Sequence, residues 1–154
     1  MKPGELRRML LCVSACVLAV YGMAYADLWL RARTAYLEGE KYLQWDRQPQ
    51  LKAAYFEEVL AAKQARLKKD QAAGRLTPQE LEQRLALARF ERDEAVQESS
   101  LKYAYVWFQT AVELFSPPES RWVIRSRRQM AAAKELWKKE LDARKIPYQD
   151  YMLD

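Results

Sequence analysis

Carboxylates, cysteines and arginines are the side chains of this sequence that could do chemistry, and their spacing decides whether they do. Carboxylates recur through the middle of the chain, as in Glu57, Glu58, Glu91, Asp93 and Glu94. They are interspersed with Lys and Arg on amphipathic helical patterns, which is typical of solvated ion pairs. Residues 46–50 also lack the alternating oxygen ligands and central Gly of a calcium loop. We therefore expect neither an acid–base pair nor a cation site here.

The chain contains no His, so the usual general base at neutral pH and the commonest transition-metal ligand are both missing. Its two cysteines, Cys12 and Cys16, lie in an N-terminal apolar run. The rest of the chain therefore has no disulfide, thiolate zinc site or cysteine nucleophile. No Gly-rich phosphate loop or nucleophile elbow is present either. The sequence predicts a protein that is not an enzyme, with no catalytic residue, cofactor, metal or small-molecule substrate.

Charge argues against nucleic acid as a partner. The 154 residues include 26 basic and 21 acidic side chains, a net charge of +5. Residues 1–26 hold three of the basic residues and one acidic residue, so 23 basic and 20 acidic residues follow them. A surface of such mixed charge is not the basic stripe that binds nucleic acid.

The first 26 residues resemble an export signal. A positive region with Lys2, Arg7 and Arg8 precedes the apolar run at 9–20. Gly22 is expected to break the apolar helix, and residues 24–26 (Ala-Tyr-Ala) place small side chains where signal peptidase requires them. We predict a signal peptide cleaved after residue 26, followed by a single all-helical domain at 27–154.

Two alternatives use the same residues. Residues 9–30 carry Asp27 as their only charge and are long enough for an uncleaved inner-membrane anchor with its N-terminus inside. Residues 13–16 resemble a lipobox in which Cys16 would be acylated. All three interpretations place the remainder of the chain in the periplasm or elsewhere outside the cytoplasm.

The remainder is rich in strong helix formers and contains few Gly, so the sequence predicts an all-α fold. Pro49 closes one helix and opens the next, while Thr77 and Glu80 form the pattern of a capping box. Ser116 with Glu119 repeats that pattern. The expected helices cover residues 27–45, 49–69, 78–115 and 118–144. In the first of them a three- and four-residue spacing predicts the buried face, formed by Leu28, Ala32, Ala35, Gly39, Tyr42 and Leu43. A break near residues 98–100 is the alternative to one continuous rod at 78–115.

The pairs at 27–67 and 99–143 combine small and aromatic residues in a way that resembles tetratricopeptide-like helical hairpins. These residues include Gly39, Tyr42, Ala54, Tyr55, Leu60, Ala104, Trp107, Phe108, Ala111 and Trp122. A small helical bundle accounts for the same spacing. The charged segment at 78–98 lies between the two pairs. The whole pattern also resembles periplasmic proteins of the spirochaete flagellar motor collar, which implies a structural role in a ring assembly.

The candidate binding residues are large aromatic and arginine side chains in the last third of the chain. Aromatic and arginine residues concentrate binding energy at interfaces. The set is Tyr103, Trp107, Arg121, Arg125, Arg128, Tyr148 and Tyr151. The arginines share one face of a helix, and we expect that face to be solvated and to lie opposite Trp122.

The residues at 148–154 either fold back or form an exposed motif for a partner. Together these patterns predict an adaptor or structural subunit of a bacterial envelope complex that binds other envelope proteins, with anionic lipid headgroups as a further ligand. The alternative is a periplasmic peptide-binding or chaperone module.

Overall fold

The computed structural model describes residues 3–153, and it contains helices and no strand over that range. The helices are α1 (Pro3–Arg47), α2 (Pro49–Ala72), α3 (Pro78–Gln97), α4 (Ser100–Leu114) and α5 (Arg121–Ala143), followed by a 3-10 turn at Asp150–Leu153. The prediction of an all-α fold is confirmed.

Helix α1 is longer than the sequence led us to expect. It begins at Pro3 and passes through Gly22 without interruption. A glycine inside a helix costs only about 1 kcal/mol relative to alanine, and Met23 and Ala24 after it are good helix formers, so the expected break was wrong. Near its N-terminus α1 is apolar and long enough to cross a membrane, and that stretch is not buried in the protein. It fits a signal peptide or a membrane anchor.

The expected capping box at the start of α3 is confirmed. The Thr77 hydroxyl accepts a hydrogen bond from the Glu80 amide, and the Glu80 carboxylate accepts one from the Thr77 amide. At the other end, α3 stops at Gln97, because Glu98 takes an extended conformation with a ψ of 147°. The continuous rod at 78–115 was therefore wrong, and the alternative break near residues 98–100 is correct.

The cap of the last helix lies four residues later than expected. Ser120, not Ser116, accepts the hydrogen bond from the Val123 amide, so α5 begins at Arg121. The Ser116 hydroxyl donates instead to the carboxylate of Glu119. That carboxylate also accepts two hydrogen bonds from the Arg127 guanidinium, which keeps residues 116–120 outside the helix.

Contacts divide the chain into two compact units. Unit 1 combines the chain up to Glu40 with the chain from Lys102 onward, and unit 2 is Lys41–Leu101. The sequence predicted one domain over residues 27–154, and that prediction is untested.

In unit 1, small residues of α1 allow large residues of α4 and α5 to approach. Ala32 and Ala35 are buried, as the spacing on α1 predicted. A Cβ atom on Gly39 would lie only 2.6 Å from the ring of Phe108, which is itself fully buried. Val123 of α5 is also fully buried in this core.

In unit 2, α3 packs along α2. Leu60, Leu67 and Ala88 supply the buried seam between the two helices. The charged segment that separated the two predicted hairpins is thus the second arm of a hairpin with α2. Two ion pairs cross the seam, Lys63 with Glu91 and Arg92 with Glu57. They allow the highly charged helix α3 to pack on α2.

Candidate contact site around Trp122

Trp122 is the centre of an aromatic cluster in unit 1. The Ser120 cap fixes the first turn of α5 and so directs Trp122 inward, where it is buried. Its ring centroid lies 6.0 Å from that of Trp29 and 5.4 Å from that of Tyr36, both on α1. Contacts of this kind stabilise a pair by about 0.5–1.5 kcal/mol beyond the area they bury.

Three guanidinium groups surround the same indole. Arg121 lies 4.6 Å from the ring centroid of Trp122, Arg125 lies 5.5 Å away and Arg33 lies 6.0 Å away. We expected the arginine face of α5 to lie opposite Trp122, and this was wrong for Arg121 and Arg125. Their long side chains bend back over the indole because its face attracts cations.

The arginines remain exposed although they contact Trp122. A stacked guanidinium keeps its N–H edge available for a carboxylate or a phosphate. In the described part of the chain, no ion pair involves Arg121 or Arg125, whereas Arg127 of the same helix is paired with Glu119. The arrangement is suited to binding an anionic group.

Tyr36 lies at the inner edge of this cluster. Burial raises its pKa, as do the negative charge of Glu40 and a hydrogen bond to that carboxylate, while the positive charge of Arg125 opposes the shift. The phenol therefore stays neutral at physiological pH and contributes to the cluster as a hydrogen-bonded ring.

Beside the cluster, the loop between α4 and α5 faces the apolar part of α1. Pro117 and Pro118 line a cavity of about 310 Å³ with residues of α1, namely Tyr21, Ala24, Tyr25 and Leu28. Leu114, at the end of α4, is 67% exposed. We call residues 114–118 the hairpin tip. Its side chains are mostly apolar, as are those of the adjoining helix.

The other predicted residues do not join this cluster. Tyr103 and Trp107 are half-buried on α4, and the ammonium group of Lys102 lies 5.7 Å from the Tyr103 ring. On the same helix it is Tyr105 that is buried, with its ring 5.9 Å from that of Trp137. Arg128 is exposed.

The C-terminal segment folds back, which was the first of the two expectations for it. Leu153 is buried, and the Asp150 carboxylate lies 2.8 Å from the Lys138 ammonium group. Tyr148 is half-buried, and its pKa is raised by burial and by the charge and hydrogen bond of Asp142. Tyr151 remains 68% exposed. Of the two predicted tyrosines, only Tyr151 is fully presented to a partner.

Sequence reasoning missed the contribution of α1 to the site. Trp29, Arg33 and Tyr36 lie at i, i+4 and i+7 and so share one face of the helix. This face adjoins the stripe of small residues that we assigned to the core. The spacing identifies this shared face, but it does not show that the face contacts Trp122.

A second candidate surface lies in unit 2. Leu87 and Phe90 are exposed on α3, Phe90 to 62%. Their neighbour Ala88 points to α2 and is buried, so these two side chains occupy the opposite, solvent-facing side of the helix. Between α2 and α3 a shallow groove of about 220 Å³ is lined by Phe56, Val59 and Ala95, among others.

Comparison with known proteins yields no relative for this chain: no family model, curated protein or solved structure matches it. Within residues 3–153, no group of three or more Cys, Asp and Glu side chains is arranged to hold a metal ion.

Proposed function

We propose that the protein is a non-enzymatic adaptor or structural subunit of a bacterial envelope complex, held at the outer face of the cytoplasmic membrane by α1. The observation that carries the proposal is the exposure of large apolar side chains on the helices of both units. Phe90 and Leu87 in unit 2, and Tyr151 and Met152 in unit 1, are exposed. Exposed apolar side chains that cluster in this way are common at protein–protein interfaces.

We favour the uncleaved anchor over the cleaved signal peptide. One of the grounds for expecting cleavage after Ala26 was the break in the helix at Gly22, and α1 continues through both residues. Cleavage would also remove Tyr21, Ala24 and Tyr25 from the cavity that they line with the hairpin tip. Arg7 and Arg8, on the N-terminal side of the apolar stretch, favour an orientation with the N-terminus in the cytoplasm.

Fusion to a reporter enzyme tests this topology. Alkaline phosphatase joined after the C-terminus is active only outside the cytoplasm, so we expect activity together with resistance of the fusion to carbonate extraction. Mass determination of the N-terminus should find the residues that precede Asp27. A mature chain that begins at Asp27 would show that residues 1–26 are a cleaved signal peptide and not an anchor. An inactive fusion would contradict export.

Photo-crosslinking in the native bacterium tests the adaptor function. A photoreactive amino acid at Phe90 should give one discrete adduct with an envelope protein. The same amino acid at Glu82, an exposed position on α3, is the matched control and should give much less of that adduct. Equal crosslinking at both positions would contradict a specific interface on α3.

The same experiment separates the adaptor from the peptide-binding or chaperone alternative. The groove beside Val59 is the feature that favours this alternative. A chaperone would crosslink to many unrelated proteins and would suppress the aggregation of unfolded clients. An adaptor would do neither. The resemblance to tetratricopeptide-like hairpins and to flagellar collar proteins remains a prediction, and a collar protein among the crosslinked partners would support it.

A further inference from the structure

We propose that the hairpin tip at 114–118 inserts into the outer leaflet of the bilayer that α1 crosses, and that Arg121 and Arg125 bind the phosphates of anionic lipids there. The inference rests on the proposed anchoring by α1. It adds a second membrane contact, made by residues that lie about 90 positions later in the chain.

The length of α1 places the tip at the right depth. From Met9 to Leu28 the helix rises about 29 Å, close to the hydrocarbon thickness of about 30 Å. All residues from Met9 to Asp27 are exposed. The α1 residues that line the cavity with the tip run from Tyr21 to Leu28 and therefore occupy the last two turns, about 10 Å, of that span.

The composition of the tip suits this depth. Leu114 is largely exposed, Phe115 is half-buried, and Pro117 and Pro118 add apolar rings beside the span. Two carboxylates flank the tip: Glu113 accepts a hydrogen bond from Gln109, and Glu119 accepts two from Arg127. The ion pair with Arg127 reduces the cost of bringing the Glu119 charge to the headgroup region.

Trp29, Trp122 and the arginines follow directly at the height of the headgroups. Trp29 lies one residue before the outer end of the apolar stretch at 9–30, and tryptophan is enriched at the membrane interface. The Arg121 guanidinium lies over Trp29 at 5.6 Å and over Trp122 at 4.6 Å. Stacking holds it at that level with its N–H edge free for a phosphate. Basic residues near the surface of an anionic membrane each add about 1 kcal/mol, or about fivefold, to its binding.

Depth-dependent fluorescence quenching tests the insertion on the full-length chain. Cys12 and Cys16 are replaced by Ala, and an environment-sensitive fluorophore is attached to a single new cysteine in lipid nanodiscs. In Leu114→Cys, we expect strong quenching by nitroxides near the headgroups and weak quenching by aqueous iodide. Leu136→Cys is the matched control, because Leu136 is an exposed leucine of α5 that lies about 22 Å along this helix from Arg121 at its start. At Leu136→Cys we expect weak quenching by the nitroxides and strong quenching by aqueous iodide.

A third probe separates this proposal from the anchoring on which it rests. In Val17→Cys the fluorophore should be quenched by nitroxides deep in the acyl chains, since Val17 lies in the middle of the apolar stretch. Deep quenching at Val17 combined with iodide access at Leu114 would overturn the insertion of the tip and leave the anchor intact. Absence of quenching at Val17 would overturn both.

The role of the arginines has its own test. In nanodiscs that mix phosphatidylcholine and phosphatidylglycerol, the chain should co-purify with an excess of phosphatidylglycerol. Replacement of Arg121 and Arg125 by Gln should reduce that excess by about fivefold per arginine. Arg128→Gln with Lys139→Gln removes the same charge from exposed positions of α5 and should have little effect. If both double variants lost the phosphatidylglycerol excess equally, the lipid would be held by general charge attraction, which would contradict a site at Trp122.

Discussion

Units 1 and 2 are both helical, and both contain aromatic contacts, which in unit 2 join Trp45 to Tyr55 and Phe56. The α2–α3 pair of unit 2, however, is held differently from the core of unit 1. In unit 1, aromatic rings of α4 and α5 pack against small residues of α1, with Phe108 in direct contact with Gly39. In unit 2, the seam between α2 and α3 is narrow, and ion pairs, a buried lysine and a capping box accompany it. Removal of the Phe108 ring should therefore affect unit 1 strongly, whereas single polar changes at the α2–α3 pair should affect unit 2 moderately.

The contrast also concerns function. Unit 1 contains the apolar part of α1 and the arginines around Trp122, the features suited to a membrane surface. Unit 2 presents Leu87 and Phe90 on a helix of otherwise high charge, which suits a protein partner. Substitutions that destabilise only one unit therefore show which contacts hold the proposed surface of that unit in place.

The largest effect is expected for Phe108→Ala in unit 1. Phe108 is fully buried against Gly39 and Tyr36, with the Tyr36 ring centroid 5.9 Å from its own. Loss of a buried phenylalanine costs about 3–5 kcal/mol, since a cavity remains. Chemical denaturation in detergent micelles measures the change. Val106→Ala, an exposed position on the same helix, is the control. A cost below that of the control would contradict this core.

Gly39→Ala tests the same contact, because Phe108 should decide whether this substitution lowers or raises the stability. In the natural background the new Cβ would overlap the Phe108 ring, and overpacking costs about 1–3 kcal/mol, which outweighs the gain in helix propensity of about 1 kcal/mol. In the Phe108→Ala background the ring is gone, so Gly39→Ala should stabilise. The four variants form a double-mutant cycle. Equal effects in both backgrounds would show that the two residues are not coupled.

Among substitutions of polar residues in unit 2, Lys52→Met is expected to lower the stability most. The buried ammonium group of Lys52 donates a hydrogen bond of 2.5 Å to the carbonyl of Glu98, at the C-terminal end of α3. A hydrogen bond that involves a charged group contributes about 1.5–3 kcal/mol, and a cation there also complements the helix dipole. Hydrogen exchange should accelerate in α2 and α3. Lys68→Met, exposed on α2, should leave exchange unchanged.

A smaller effect is expected when the cap of α3 is removed. Thr77→Ala eliminates the hydroxyl that accepts from the Glu80 amide and should cost about 1 kcal/mol. Faster hydrogen exchange should be confined to the first turn of α3. Thr77→Ser keeps the hydroxyl and should restore most of the protection, so failure of the serine variant would show that the methyl group, not the cap, was responsible.

Features encoded by neighbouring residues were predictable from the sequence, and features that depend on remote residues were not. The capping box at Thr77, the start at Pro49 and the buried positions Ala32 and Ala35 follow from local spacing. The contacts of Trp122 with Trp29, Tyr36 and Arg33 depend on α1, which lies some 90 residues away. Local spacing places Arg121 beside Trp122 on the helix surface but does not reveal that the side chain bends across the indole.

The same distinction applies to the ends of helices. Ser116 and Ser120 both have the residue type of a cap, and the pattern around Ser116 is the more complete of the two. Arg127, in the second turn of α5, donates two hydrogen bonds to the Glu119 carboxylate. This contact keeps Glu119 outside the helix, so Ser120 and not Ser116 is the cap. Glu119 then has its pKa lowered, chiefly by the hydrogen bond from Arg127. A competing tertiary contact of this kind cannot be read from the spacing around either serine.

The smallest effect is expected at the C-terminal segment, where one exposed ion pair adds to the burial of Leu153. The Lys138 hydrogen bond lowers the pKa of Asp150, and the pKa of Lys138 is raised in return. A carboxylate with a lowered pKa stabilises the folded form above its ordinary pKa of about 4, and that contribution is lost as the pH falls through the lowered value. A lysine with a raised pKa contributes below about pH 10.4 and loses its contribution as the pH rises through the raised value.

Fluorescence of a label on Tyr151→Cys, in the background without the natural cysteines, should therefore change in acid and again in strong base, with a plateau between. In Asp150→Asn the acid transition should disappear, while docking through Leu153 persists in part, because burial of the leucine does not depend on charge. An acid transition that survives in Asp150→Asn would assign it to another carboxylate, and Asp142, which bonds Tyr148, is then the group to replace.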